Sequence, residues 1–120
     1  RMLPKTIAIE DSQYFDKAKV ESSMLETISL LDADDYEALQ DNAIPAMAST
    51  LKEETIVPIK EKMAEEFGQP VSYGTAYIVE LVQNHTHYAV GEIMVAYENV
   101  SVTYRLTYDE QMRLAGLYMR

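Results

Sequence analysis

At Pro70 the hydrophobic period of this chain changes from that of a helix to that of a strand. Before it, apolar residues recur at spacings of three and four; after it, they alternate. A chain divided in this way predicts an α+β fold: three N-terminal helices packed on a curved, four-stranded antiparallel meander sheet. Residues 1–11 lack helical period and read as a leader or linker, leaving 12–120 as a single cone-like α+β domain. The first helix is expected after Ser12, a good N-cap, running to about Asp32 with Phe15, Ala18, Ser22, Leu25 and Ser29 on one stripe. Met24, Ile28 and Leu31 widen that stripe. Asp34 with Glu37 has capping-box spacing and opens a short second helix, and Pro45 suits a first helical position. Thr50 with Glu53 repeats the box and opens a third helix ending at Gly68, which Pro58 interrupts.

Four strands are expected, at 71–83, 87–97, 100–108 and 112–119. Connections this short force neighbours to run antiparallel. With Glu98-Asn99 as the turn, Val95 pairs with Val102, Ile93 with Tyr104 and Gly91 with Leu106 on one apolar face. Met94 then pairs with Thr103, and Glu92 with Arg105 as an ion pair, on the other. For the first hairpin, a two-residue loop at Asn84-His85 would put Tyr77 and Val79 on the face of Glu92. A three-residue loop, 84–86, keeps Tyr73 and Tyr77 on the apolar face and is the expectation here.

Seven of the nine tyrosines lie after Pro70. A packed core is more cheaply built from Phe, because every buried hydroxyl needs a partner. Tyr73, Tyr77, Tyr97, Tyr104 and Tyr108 are therefore expected to line a pocket between sheet and helices that holds a small apolar ligand. The other sheet face would carry Ile78, Val82, Val90, Met94 and Ala96. That is enough apolar surface to expect a homodimer through Ile78, Val90 and Met94, unless Met2, Leu3, Ile7 and Ile9 of the leader cover it.

The net charge of −10 argues against nucleic acid as a partner, since phosphate neutralisation needs a basic footprint. The helical half, residues 1–69, carries 15 acids and 7 bases, so −8 of that charge resides there. No apolar run reaches the ~20 residues of a membrane span, and the chain holds no cysteine for disulfide or thiolate chemistry. His85-Thr86-His87 resembles a metal grip, but with Glu80 read as outward-facing it lacks a third ligand, so neither metal nor cofactor is expected. Asp32, Asp34 and Asp35 lack the glycine and distal glutamate of a calcium loop and read as helix-capping carboxylates. No nucleophile motif is present, and no catalytic residue is assigned.

The stretches LLDADDYEAL (30–39), TLKEETIVPIKEKMAEEFG (50–68) and YDEQMRLAGLYM (108–119) resemble the bacterial domain of unknown function 3887. In overall plan the chain resembles the nuclear-transport-factor-2-like superfamily, a cystatin-like cone. The family often has Gly in the last turn where this chain has Met112. The resemblance implies a domain carried by bacterial surface lipoproteins, and hence an extracytoplasmic, cell-surface location. It supplies no catalytic residue. The functional expectation is a non-catalytic binding or accessory domain, motivated by a tyrosine-lined face with no carboxylate beside it. The alternative is a ketosteroid-isomerase-like or hydratase-like enzyme of the same fold, which requires an acid or histidine beside a pocket tyrosine hydroxyl.

Overall fold

The computed structural model describes residues 3–120. Four α-helices pack against a six-stranded sheet whose strand pairings are all antiparallel. The class is therefore the α+β expected from the change of period, with one helix and two strands more than the sequence reading counted.

The first helix, α1 (Lys17–Asp32), begins later than expected because Ser12 makes a turn instead of a cap. Its hydroxyl accepts from the Tyr14 and Phe15 amides, and Asp16 caps α1 by accepting from the Lys19 amide at 3.1 Å. The buried stripe is Val20, Met24, Thr27, Ile28 and Leu31, while Ser22, Leu25 and Ser29 face away. Burial selects the aliphatic row over the neighbouring row that alternates serine with leucine. In α2 (Tyr36–Asp41) the cap is Asp35, one residue later than read, because Asp34 takes a left-handed φ of 53°. Pro45 opens α3 (Pro45–Ala48) as expected. The last helix, α4 (Glu53–Met63), runs through Pro58 and ends five residues before Gly68. At the sixth helical position the missing proline N–H forfeits one bond, to the Glu54 carbonyl.

The strands are β1 (Lys5–Ala8), β2 (Pro70–Tyr73), β3 (Tyr77–Gln83), β4 (Thr86–Tyr97), β5 (Ser101–Tyr108) and β6 (Leu114–Met119). Their order is β1-β3-β4-β5-β6, with β2 pairing the far end of β4. The β4–β5 register matches the expectation pair for pair, from Gly91↔Leu106 through Glu92↔Arg105 to Val95↔Val102. The segment read as a leader instead supplies an edge strand, Lys5↔Val82 to Ala8↔Val79, followed by a 3-10 turn in which Ile9 is buried. It adds to the sheet edge and does not lie over the outer face; Met2, invoked for that cover, lies outside the described residues.

The first hairpin corrects the sequence reading. Asn84 and His85 form a two-residue loop with φ of 50° and 65°, the turn whose twist matches its strands, and Gln83 pairs Thr86. Tyr77 therefore pairs Glu92 on the outer face and is 75% exposed. Ile78, Glu80 and Val82, all read as outward, are buried on the inner face. Between β2 and β3 the chain holds one extra residue relative to β4, so Tyr73, opposite Val95, sits on the opposite face from Tyr77. Helix α1 lies over the inner face, where Met24 packs on Gly91 so closely that a Cβ there would collide with it.

Candidate functional site

The inner-face tyrosines divide. Tyr97, Tyr104 and Tyr108 are buried, Tyr73 lies half-exposed at the rim and Tyr77 is on the other side of the sheet. Among the described residues, none of the open pockets is lined by the buried three. Thr27 donates its proton to the Ser23 carbonyl, so the Tyr108 hydroxyl, 2.8 Å away, donates to Thr27. Tyr97 donates to Asp32 Oδ1 at 2.8 Å, so Tyr104, 2.5 Å from Tyr97, donates to Tyr97. Burial pushes all three phenols above their ordinary range, which keeps them neutral donors. Among the described residues no buried side-chain polar atom lacks a partner.

Asp32 places a carboxylate beside a pocket tyrosine, which the sequence reading did not expect. Burial raises its pKa, opposed by the Tyr97 hydrogen bond and by Lys60. The Lys60 ammonium donates to the Leu31 carbonyl at 2.7 Å and to Asp34 at 3.3 Å, closing the C-terminus of α1. Phe67 packs its ring 5.0 Å from that of Tyr97 and screens it from solvent.

Outside Phe67 lies an open cleft of about 370 Å³ between the end of α1, α4 and residues 64–70. The 64–70 segment is held against the β4–β5 turn. Glu98 accepts from the Gln69 amide, Asn99 donates to the Glu66 carbonyl, and the Asn99 amide donates to the Phe67 carbonyl. Gly68, with φ of 75°, passes too close to Glu98 to carry a side chain. Val57, Phe67 and Pro70 give the cleft apolar walls, and Asp32, Asp34, Glu61, Glu65 and Glu66 ring it against the single cation of Lys60. This surface suits a small cation with an apolar body.

A second cluster was missed because Glu80 was read as outward. Glu80 is 1% exposed, accepts from Ser12 and from His87 Nδ1, both at 2.5 Å, and Tyr14 stacks on the His87 ring at 3.6 Å. The cluster ties the N-terminal segment to the end of the sheet. His85 sits in the turn and His87 is engaged by Glu80, so the H-x-H pair does not converge. The three aspartates likewise have separate work: Asp32 on Tyr97, Asp34 on Lys60, Asp35 capping α2.

The family profile described as Protein of unknown function (DUF3887) matches residues 25–117. The chain belongs to that family. Its matched span runs from the middle of α1 to near the end of β6 and so includes the cleft, while the Ser12 end of the Glu80 cluster falls outside it. The fold is also similar to the NMR structure of a protein from Ruminococcus gnavus ATCC 29149, at a TM-score of 0.78 and 28% identity, over 90% of this chain and 94% of that one. No curated protein matches the chain. Among the described residues, no helix is long and apolar enough to cross a membrane.

Proposed function

We propose that this DUF3887 domain is a non-catalytic binding or accessory domain whose ligand seat is the Asp32–Lys60–Phe67 cleft, not the tyrosine-lined interior. The observation that carries the reading is closure of the interior. Tyr104 bonds to Tyr97, Tyr97 to Asp32 and Tyr108 to Thr27, while an open cleft lies outside Phe67. The ligand class changes accordingly, from apolar to a cation with an apolar body. The resemblance to surface-lipoprotein domains supports an extracytoplasmic setting, and helices packed on one face of an antiparallel sheet support a place among nuclear-transport-factor-2-like cones. The outer sheet face, with Tyr77, Met94 and Tyr118 each at least half exposed, supports association with a macromolecular partner.

Titrating isotopically labelled protein with phenethylammonium, and separately with neutral 2-phenylethanol, tests the cleft. Amide shifts confined to residues 32–34 and 57–70 and stronger for the cation are expected. Equal shifts with both compounds, or shifts elsewhere, reject the assignment.

One observation favours the isomerase-like alternative. Asp32 stands 2.8 Å from a tyrosine hydroxyl with its proton affinity raised, the arrangement an acid–base pair needs. Against it, Tyr97 and Tyr104 are buried with their hydroxyls already bonded to Asp32 and to each other, and Phe67 packs on the Tyr97 ring. Hydrogen–deuterium exchange at the α-carbon of a β,γ-unsaturated ketone, present in the wild type and lost in Asp32→Asn, would establish this reading over the first.

A further inference from the structure

On the side of the sheet away from β4, β1 pairs β3 only over Val79 to Val82 and leaves the edge after Ala8. β2 continues the line of β3, since both pair β4 antiparallel, and its far side carries no strand among the described residues. Residues 71–75 are all exposed, Val71 by 68% and Tyr73 by 48%. The Gly74 amide donates to the Met94 carbonyl at 2.8 Å. Strand alternation therefore turns the Tyr73 N–H and C=O away from β4, onto this open edge.

Natural sheets protect such edges with charge or cover. β1 carries Lys5, and both backbone groups of Leu114 at the start of β6 are bonded by Asn42 and Ile44. The β2 edge has no such protection: between Glu66 and Glu80 the chain carries no charged residue. This edge also ends at the cleft. Pro70 is the first residue of β2 and a wall of the cleft. Pro70, opposite Tyr97, and Tyr73, opposite Val95, both lie on the inner face.

We propose that the ligand of the cleft is a lysine side chain on an extended peptide of a partner protein, which adds to the sheet as a strand along β2. This rests on the reading of the cleft as a cation seat and names its ligand class. A lysine side chain is an ammonium on an apolar stem. Glu61, Glu65 and Glu66 line the cleft with no ion-pair partner among the described residues. Main-chain bonds at Tyr73 supply affinity and the cleft supplies selection. A net charge of −10 favours a basic partner over an acidic one.

The sheet sets the direction. Every pairing in it is antiparallel, and the peptide takes up the line of β1. An antiparallel strand runs from Tyr73 towards Pro70. Its residue opposite Tyr73 lies on the inner face as a cross-strand neighbour of the phenol ring. The residue two further on lies on the same face, roughly 7 Å along and beside Pro70. The pattern recognised is therefore an apolar residue, any residue, then lysine, in that order.

The test is amide-shift mapping of isotopically labelled protein with the blocked peptide acetyl-TTVTKT-amide. Shifts are expected at 71–75 together with 32–34 and 57–70, with slowed hydrogen exchange at the Tyr73 amide. N-methylation of the valine removes the donor to the Tyr73 carbonyl and should weaken binding about tenfold. Reversing the order to TKTVTT should weaken it to a similar degree. Glutamine in place of lysine should keep the shifts at 71–75, at lower affinity, and lose those in the cleft. Cleft shifts that survive N-methylation, with none at 71–75, overturn strand addition and leave the cation seat in place. Edge shifts that are the same for the lysine and glutamine peptides, with none in the cleft, overturn the placement of the lysine. Failure to bind TTVTKT by protein that still binds phenethylammonium overturns the proposal alone; failure to bind either compound rejects the cleft reading with it. Every change is made in the peptide, so the fold of the protein is not in question.

Discussion

The Asp32 carboxylate, at the last residue of α1, accepts a hydrogen bond at 2.8 Å from the Tyr97 hydroxyl, at the last residue of β4. The bond joins the helical layer to the sheet and ends a one-way proton chain, Tyr104 to Tyr97 to Asp32. It also sets an acid whose proton is held more tightly than usual at the wall of the cleft.

That shift has a sign. The folded pKa of Asp32 lies above its ordinary 3.8, so the folded state binds the proton more tightly than the unfolded state. The resulting stability is fully present below 3.8 and is lost as pH rises through the folded value. Asp32→Asn retains an acceptor for Tyr97 without the charge. Its urea stability should therefore fall less than that of the wild type as pH is raised across this window. Parallel curves would show that burial of the Asp32 charge has no energetic consequence. Asp32 is only partly withdrawn from solvent, so solvent screening keeps the effect small.

Replacing either tyrosine of the chain separates donor from acceptor. Tyr104→Phe removes a donor but leaves Tyr97 bonded to Asp32, and should cost about 1 kcal/mol. Tyr97→Phe strands the fully buried Tyr104 hydroxyl and bares Asp32, and should cost about 2–3 kcal/mol. Denaturant midpoints in the reverse order would mean that the proton chain runs the other way.

Glu80 is the most deeply buried acid of the described residues, and its two donors lie on different segments. Glu80→Ala leaves Ser12 and His87 unpaired and should cost about 3 kcal/mol, as removal of one partner of a buried pair does. Amide exchange should quicken first in Lys5–Ala8, because β1 has no buried side chain of its own to hold it. Uniform quickening throughout the chain would show that the cluster supports the whole fold and not the N-terminal segment.

His85 holds a left-handed φ of 65° without being glycine. His85→Gly, giving Asn-Gly in the same turn, should stabilise by about 0.5–1 kcal/mol in thermal melts. No gain, or a loss, would contradict the two-residue loop.

These turn and bulge geometries also explain what could be read in the sequence. The β4–β5 register was legible because both strands alternate without interruption and Glu92 opposite Arg105 excludes a slip. The preceding hairpin was not, because its outer face carries Tyr77 and Val79, which look like core residues in a one-dimensional pattern. Local turn chemistry outweighed side-chain polarity there: Asn accepts positive φ, and the resulting register buries Glu80 with a partner ready in His87. The extra residue near Gly74 then separates Tyr73 from Tyr77, which no alternation pattern announces. Of the five tyrosines assigned to a pocket, three share the interior. The cleft itself was invisible because it joins Asp32 and Asp34 at the end of α1 to residues 57–70, where helix α4 ends early and the chain leaves regular structure.

The central claim is that ligands settle outside Phe67 and not among the interior tyrosines. Intermolecular nuclear Overhauser effects with bound phenethylammonium test this directly. Contacts from the ligand ring to the Phe67 ring and the Val57 methyls are expected, with none to Tyr104 or Tyr108. Contacts to Tyr104 or Tyr108 would show that the interior opens, and would contradict the account.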